Sequence, residues 1–87
     1  MYKTTEKDLV ISMHGINYYV IYNKNSESNR YYGILAESSD DSTDFQTAEN
    51  LFFTHTEAEE YCRWFAENEV YPITLCEVLA NIFHMPV

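Results

Sequence analysis

In the segment Leu9-Val10-Ile11-Ser12-Met13 the odd positions are all apolar. In Ile16-Asn17-Tyr18-Tyr19-Val20-Ile21-Tyr22 the even ones are apolar or aromatic. Successive side chains of a strand point to opposite faces, so each run presents one apolar face. His14-Gly15 between them has the form of a two-residue hairpin turn, with Gly15 supplying a positive φ. Such a turn pairs Met13 with Ile16 and gathers Leu9, Ile11, Met13, Ile16, Tyr18, Val20 and Tyr22 on one shared face. Turn chemistry and alternation agree, which predicts a hairpin with Leu9, Ile11, Tyr18 and Val20 buried. The opposite face, with Val10, Ser12, Asn17, Tyr19 and Ile21, is half polar.

Residues 23–29 are rich in Asn and Ser and read as a turn-forming loop. Residues 30–37 read as a third strand, in which Gly33 marks a bulge or the close approach of another element. Residues 38–47 are polar and acidic and read as a mobile loop. Residues 49–54, centred on Leu51, Phe52 and Phe53, read as a short fourth strand.

The remainder has helical periodicity. Thr56-Glu57-Ala58-Glu59 has the Thr-x-x-Glu form of a capping box. From there Ala58, Tyr61, Cys62 and Phe65 form one apolar stripe, with Glu59, Glu60, Arg63 and Glu67 opposite. This helix should stop near Asn68, because Pro72 disfavours helix at the residue before it. A second capping box, Thr74-Leu75-Cys76-Glu77, opens a helix whose stripe is Leu75, Val78, Leu79, Ile82 and Phe83. Glu77, Asn81 and His84 lie opposite, and Pro86 follows its end. The order β-β-β-(β)-α-α predicts an α+β fold. An antiparallel three- to four-stranded meander is packed on one face by two C-terminal helices, in a single domain spanning residues 1–87.

Composition adds little to this until charge is considered. The hydrophobic fraction of 46% and the eight tyrosines and five phenylalanines fit a folded chain. Residues 1–36 carry a net charge of +1, and residues 37–87 one of −10, with Arg63 as their single base. A negative half projects a field that attracts cationic surfaces, and the densest of these bind nucleic acid. The same acidity argues against direct binding to nucleic acid or anionic lipid. The opening Met-Tyr-Lys leads into no apolar signal segment, and no apolar run is long enough to span a bilayer. A cytoplasmic protein is expected.

Signatures of catalysis are missing. Cys62, Cys76, His14, His55 and His84 show no metal-ligand spacing, so neither metal nor cofactor is expected. Both cysteines fall in apolar stretches and are expected to be reduced and buried. Ser38, Ser39 and Ser42 have no paired base, and His55 before a helix is more often a surface or capping residue than a general base. Helix design accounts for some acids: Glu59 with Arg63 and Arg63 with Glu67 are spaced as i,i+4 pairs, and Glu57 and Glu59 suit a helix N-terminus. It leaves Asp40, Asp41, Asp44 and Glu49 without a role. Trp64, flanked by Glu57, Glu60 and Glu67, could anchor a basic partner or wedge against the sheet edge or the second helix.

Tyr31-Tyr32-Gly33-Ile34, followed by a loop, a helix and residues 70–79, resembles a family of small uncharacterised proteins from clostridia and related Firmicutes. The shared features are a Tyr-Gly-Ile strand and a closing Pro-x-x-Leu-x-x-Val helix, and they span roughly the last two thirds of the chain. That resemblance implies no activity. In size, acidity and α+β build the chain is also similar to phage-encoded anti-CRISPR proteins, many of which occupy the nucleic-acid channel of an RNA-guided nuclease.

The expectation is therefore a non-enzymatic inhibitor of a basic nucleic-acid-binding protein, of anti-CRISPR type, with a Cas9-like effector as first target. Its binding residues would be Asp40, Asp41, Asp44, Glu49, Glu57, Glu60, Trp64 and Glu67. The alternative is a regulatory or structural module that forms a homodimer through a tyrosine-bearing sheet face.

Overall fold

The computed structural model describes residues 5–23 and 32–83. It is an α+β fold: β1 (Thr5–Met13), β2 (Ile16–Asn23), β3 (Tyr32–Ser38) and β4 (Phe45–Phe52), then α1 (His55–Glu67) and α2 (Pro72–Phe83). The strands form one antiparallel sheet in sequence order. Both helices lie on one face, α1 mainly over β1 and β2, α2 over β4 and β3. The core between the layers contains Tyr18, Val20, Ile34, Phe52, Cys62, Phe65, Leu75 and Leu79, all fully buried.

The hairpin forms as its turn chemistry requires, with Met13 opposite Ile16. His14 (φ 57°) and Gly15 (φ 76°) both adopt positive φ, the pattern of a type I′ turn. One residue of β1 departs from simple alternation. Leu9 pairs with Tyr19 and Ile11 with Tyr18, so Val10 is an extra residue in a β-bulge. The bulge reverses the facing of everything before it. Leu9, expected in the core, is 57% exposed on the open face. Asp8, paired with Val20, is placed on the helix face instead.

The third strand begins at Tyr32; of the predicted loop at residues 23–29, Asn23 closes β2 and the rest, with Arg30 and Tyr31, lies outside the described residues, as do His84 and Pro86. Gly33 meets both expectations for it. The register shifts between Tyr32 and Ile34, and a Cβ at Gly33 would collide with the Ala48 carbonyl oxygen and lie 2.8 Å from Glu49 Cα.

The fourth strand starts earlier than its apolar centre suggested. Phe45 pairs with Glu37 and Thr47 with Leu35, so residues 45–47 are strand and the connection shrinks to residues 39–44. That connection is hydrogen-bonded rather than a loose loop. Asp41 Oδ1 accepts from the Thr43 backbone N–H (3.0 Å) and the Thr43 hydroxyl (2.6 Å). Ser38 N–H donates to Asp44 O, and Ser39 N–H to Gly15 O, tying it to the hairpin turn.

Both helices begin before the predicted caps, α1 by one residue and α2 by two. Thr54 is the N-cap of α1, its hydroxyl accepting from Glu57 N–H at 3.1 Å, so the working Thr-x-x-Glu is residues 54–57. Pro72 is the first residue of α2, where its missing N–H costs nothing, and Thr74 instead donates its hydroxyl to Tyr71 O. The end of α1 at Asn68 is as expected. There Glu69 adopts φ 52°, Val70 N–H reaches back to Phe65 O, and Glu69 N–H to Ala66 O, a Schellman closure without glycine.

A candidate cleft on the acidic face of α1

Glu57, Glu60, Trp64 and Glu67 follow one another at helical spacing on the outward side of α1, and all four are exposed. Ala58, Cys62, Phe65 and Ala66 are buried behind them. Trp64 is 46% exposed. It does not wedge into the sheet edge. Instead Glu60, Tyr61 and Trp64 of α1 meet Ile82 of α2 around an open cleft of about 380 Å³.

The aromatic walls are braced from behind. Tyr61 stacks on Phe52 (centroids 5.0 Å apart, 29° between planes), and Trp64 meets the buried Phe65 ring edge-on at 5.5 Å. The cleft thus joins an indole, a phenol ring, an apolar floor and a carboxylate. That combination suits a cation with an apolar stem. Tyr61 and Ile82 were assigned by periodicity to the two core stripes. They sit at the margins of those stripes, and two half-buried margins on adjacent helices are the signal that could have located the cleft.

The remaining candidate residues are exposed but lie elsewhere. Asp40, Asp41 and Asp44 occupy the β3–β4 turn beside Gly15. Of these, Asp41 has a structural function: the hydrogen bonds from the Thr43 side chain and backbone hold its carboxyl below the usual range. Glu49 is on the segment of β4 that crosses Gly33. The sequence-derived set therefore divides into the α1 face, the turn and the β4 crossing.

The expected pairs of Arg63 do not form. Glu59 faces His55 Nδ1 at 3.4 Å, and Arg63 makes no ion pair among the described residues. His55 itself is the centre of a cluster that sequence reasoning missed. Its Nε2 lies 3.0 Å from Asp8 Oδ2, and the rings of Tyr22 and Tyr32 meet it edge-on, centroids 6.2 and 5.6 Å away. The β1 bulge is what brings Asp8 here. Both ring nitrogens face carboxylates, and the cluster ties edge strand β1 to the start of α1. No group of three or more metal-ligating side chains is assembled among the described residues.

The thiols divide. Cys62 is buried, donates to Tyr19 O at 3.6 Å, and burial pushes it up to about 12. Cys76, expected to be buried, is exposed on the margin of α2, 3.8 Å from Thr47 O. The tyrosines of β2 sort as their alternation predicts. Tyr18, Tyr22 and Tyr32 are on the helix side, which leaves Tyr19 as the described tyrosine of the open face, with Lys7 Nζ 4.7 Å from its ring centre.

A family model for a family of unknown function, DUF6514, matches residues 1–85. The chain belongs to this family. No curated protein and no solved structure matches it. Among the described residues, no helix is long and apolar enough to cross a membrane.

Proposed function

We propose that this DUF6514 protein is a binding protein that engages a basic, nucleic-acid-binding partner through the outward face of α1 and blocks it. The observation that carries this reading is the exposed line Glu57-Glu60-Trp64-Glu67 beside an apolar cleft, on a chain of net charge −9. Carboxylates spaced along one helix face offer a cationic groove what a phosphate backbone offers, and an exposed aromatic among them supplies the apolar anchor of an interface. An RNA-guided nuclease of the Cas9 type, with its positive heteroduplex channel, is the first target.

The test is target-DNA cleavage by such a nuclease at low and high salt, with the protein added before or after the DNA. Slowed cleavage that salt relieves is expected, and it should vanish when Glu57, Glu60 and Glu67 are changed together to Lys. Equal effects of the wild-type and reversed proteins would rule the reading out, as would the failure of the wild-type protein to retain any basic nucleic-acid-binding protein.

A second reading rests on the open sheet face, where Leu9 and Phe45 are more than half exposed. Self-association there would bury both and give a homodimer that tolerates salt. Sedimentation equilibrium at low and high salt separates the two readings.

A further inference from the structure

We infer that the cleft between α1 and α2 is an arginine pocket, in which the guanidinium of a partner's arginine lies over Trp64 and is gripped by Glu60. This rests on the binding role proposed for α1 and names the group that the face selects. The argument begins with the chemistry of the walls. An indole face attracts a cation more strongly than a phenyl or phenol ring does, and a planar guanidinium can stack on it where an ammonium cannot. Glu60 lies one helical turn before Trp64, which places its carboxylate beside a cation seated on the indole. A carboxylate accepts the two parallel N–H groups of arginine as a fork; lysine offers a single point. Tyr61 and Ile82 are the other lining side chains among the described residues and would cover the methylene stem.

Charge and preorganisation support the same occupant. Glu57 and Glu67 extend the negative face one turn to either side, so the cleft lies in a field that favours cations. At about 100° per residue, Arg63 falls on the far side of Glu60 from Tyr61, and among the described residues it makes no ion pair with Glu60. Because Tyr61 is stacked on Phe52 and Trp64 abuts Phe65, little ordering of the walls is required on binding. The volume, about 380 Å³, is enough for one long side chain and part of the backbone that carries it.

Trp64 is the single tryptophan of the chain, so its fluorescence reports on the cleft alone. The probes are hexa-arginine, hexalysine and hexacitrulline peptides, with calorimetry run in parallel. Hexa-arginine should change the emission saturably. Hexalysine should require about five- to tenfold more peptide, and hexacitrulline should have no effect. Glu60→Gln should weaken hexa-arginine by a similar factor. Asp40→Asn, in the β3–β4 turn, should leave the titration unchanged, with circular dichroism confirming that both variants are folded. Equal responses to the arginine and lysine peptides would overturn the pocket, and so would an unaltered titration of Glu60→Gln. Calorimetric binding of hexa-arginine with silent Trp64 emission would overturn it too, while leaving the wider acidic surface as a binding face. The converse result, the expected titration without binding to any nucleic-acid-binding protein, would uphold the pocket and sink the proposed function.

Discussion

The phenol of Tyr18 in β2 donates a 2.6 Å hydrogen bond to the carbonyl of Val70, 52 residues further along the chain. Tyr18 is fully buried, and Val70 follows the left-handed residue Glu69 at the close of α1. The bond therefore joins the centre of the sheet to the corner between the two helices, and among the described residues no other donor reaches that carbonyl. Replacing Tyr18 by Phe keeps the ring but leaves the Val70 carbonyl buried without a donor. The expected cost is about 1–3 kcal/mol, read as a shift of the urea midpoint at constant m-value.

Stability should fall in alkali, for a related reason. Burial, reinforced by nearby Tyr71, raises the Tyr18 phenol from 10.0 to about 12, and burial raises the Cys62 thiol from 9.0 to about 12. Between these values the unfolded chain has released protons that the folded chain still holds. The unfolded state then binds fewer protons, so stability is fully present below pH 9 and declines as pH rises toward 12. Cys62→Ala should flatten the early part of that decline, from pH 9 to 10, whatever it costs in packing. Equilibrium unfolding at several pH values measures the slope.

Gly33 is held in β3 by its neighbour in space. A methyl group there points into the Ala48 carbonyl and toward Glu49 Cα, and both are backbone atoms that cannot turn aside. Gly33→Ala should therefore push β4 outward and destabilise by about 1–3 kcal/mol, the range for overpacking. The amides of β3 and β4 should lose hydrogen-exchange protection ahead of those in the β1–β2 hairpin.

The hairpin, the two helices and their buried faces were legible because each rests on local signals that agree: alternation, a two-residue turn, and stripes of 3.6-residue period. Three things were not. The bulge at Val10 has no glycine or proline to mark it, yet it moves Leu9 out of the core and Asp8 onto His55. The start of β4 is hidden because Phe45, Gln46 and Thr47 show no alternation that distinguishes them from the polar turn before them. The cleft is hidden because Tyr61 and Ile82 belong equally to a core stripe and to its margin, and the way each helix is seated on the sheet decides which. The caps were a different matter: Thr54 with Glu57, and Pro72 at a first helical position, are local signals that a capping box two residues later obscured.

The turn after α1 offers a gain in stability. Glu69 has φ 52°, a conformation that costs a residue with a Cβ roughly 1 kcal/mol and costs glycine almost nothing. Its side chain is exposed, so little packing is lost on replacement. Glu69→Gly should stabilise by about 0.5–1 kcal/mol, the relief of strain outweighing the added freedom of the unfolded chain. Glu69→Ala keeps the Cβ and should not stabilise. Thermal melts of the two variants side by side distinguish relief of strain from removal of a negative charge.

The acids of the β3–β4 turn should separate by role. Asp41 accepts two hydrogen bonds from Thr43, and these hold its carboxyl below 3.8. Asp40 and Asp44 direct no side-chain bond into the turn among those seen for the described residues. Asp41→Ala should lower the melting temperature at neutral pH, and Asp40→Ala and Asp44→Ala should leave it within the scatter of a surface substitution. The sign with pH follows from the direction of the shift. A carboxyl depressed in the folded state stabilises above its unfolded value, and that contribution disappears as pH falls through the folded one. The difference between wild type and Asp41→Ala should therefore narrow in acid. Asp41→Asn, which keeps an acceptor oxygen without the charge, should retain much of the turn at neutral pH and show a weaker acid dependence. Were Asp41→Ala as stable as the other two, the other hydrogen bonds of the turn would suffice to hold it, and Asp41 would return to the pool of acids available to a partner.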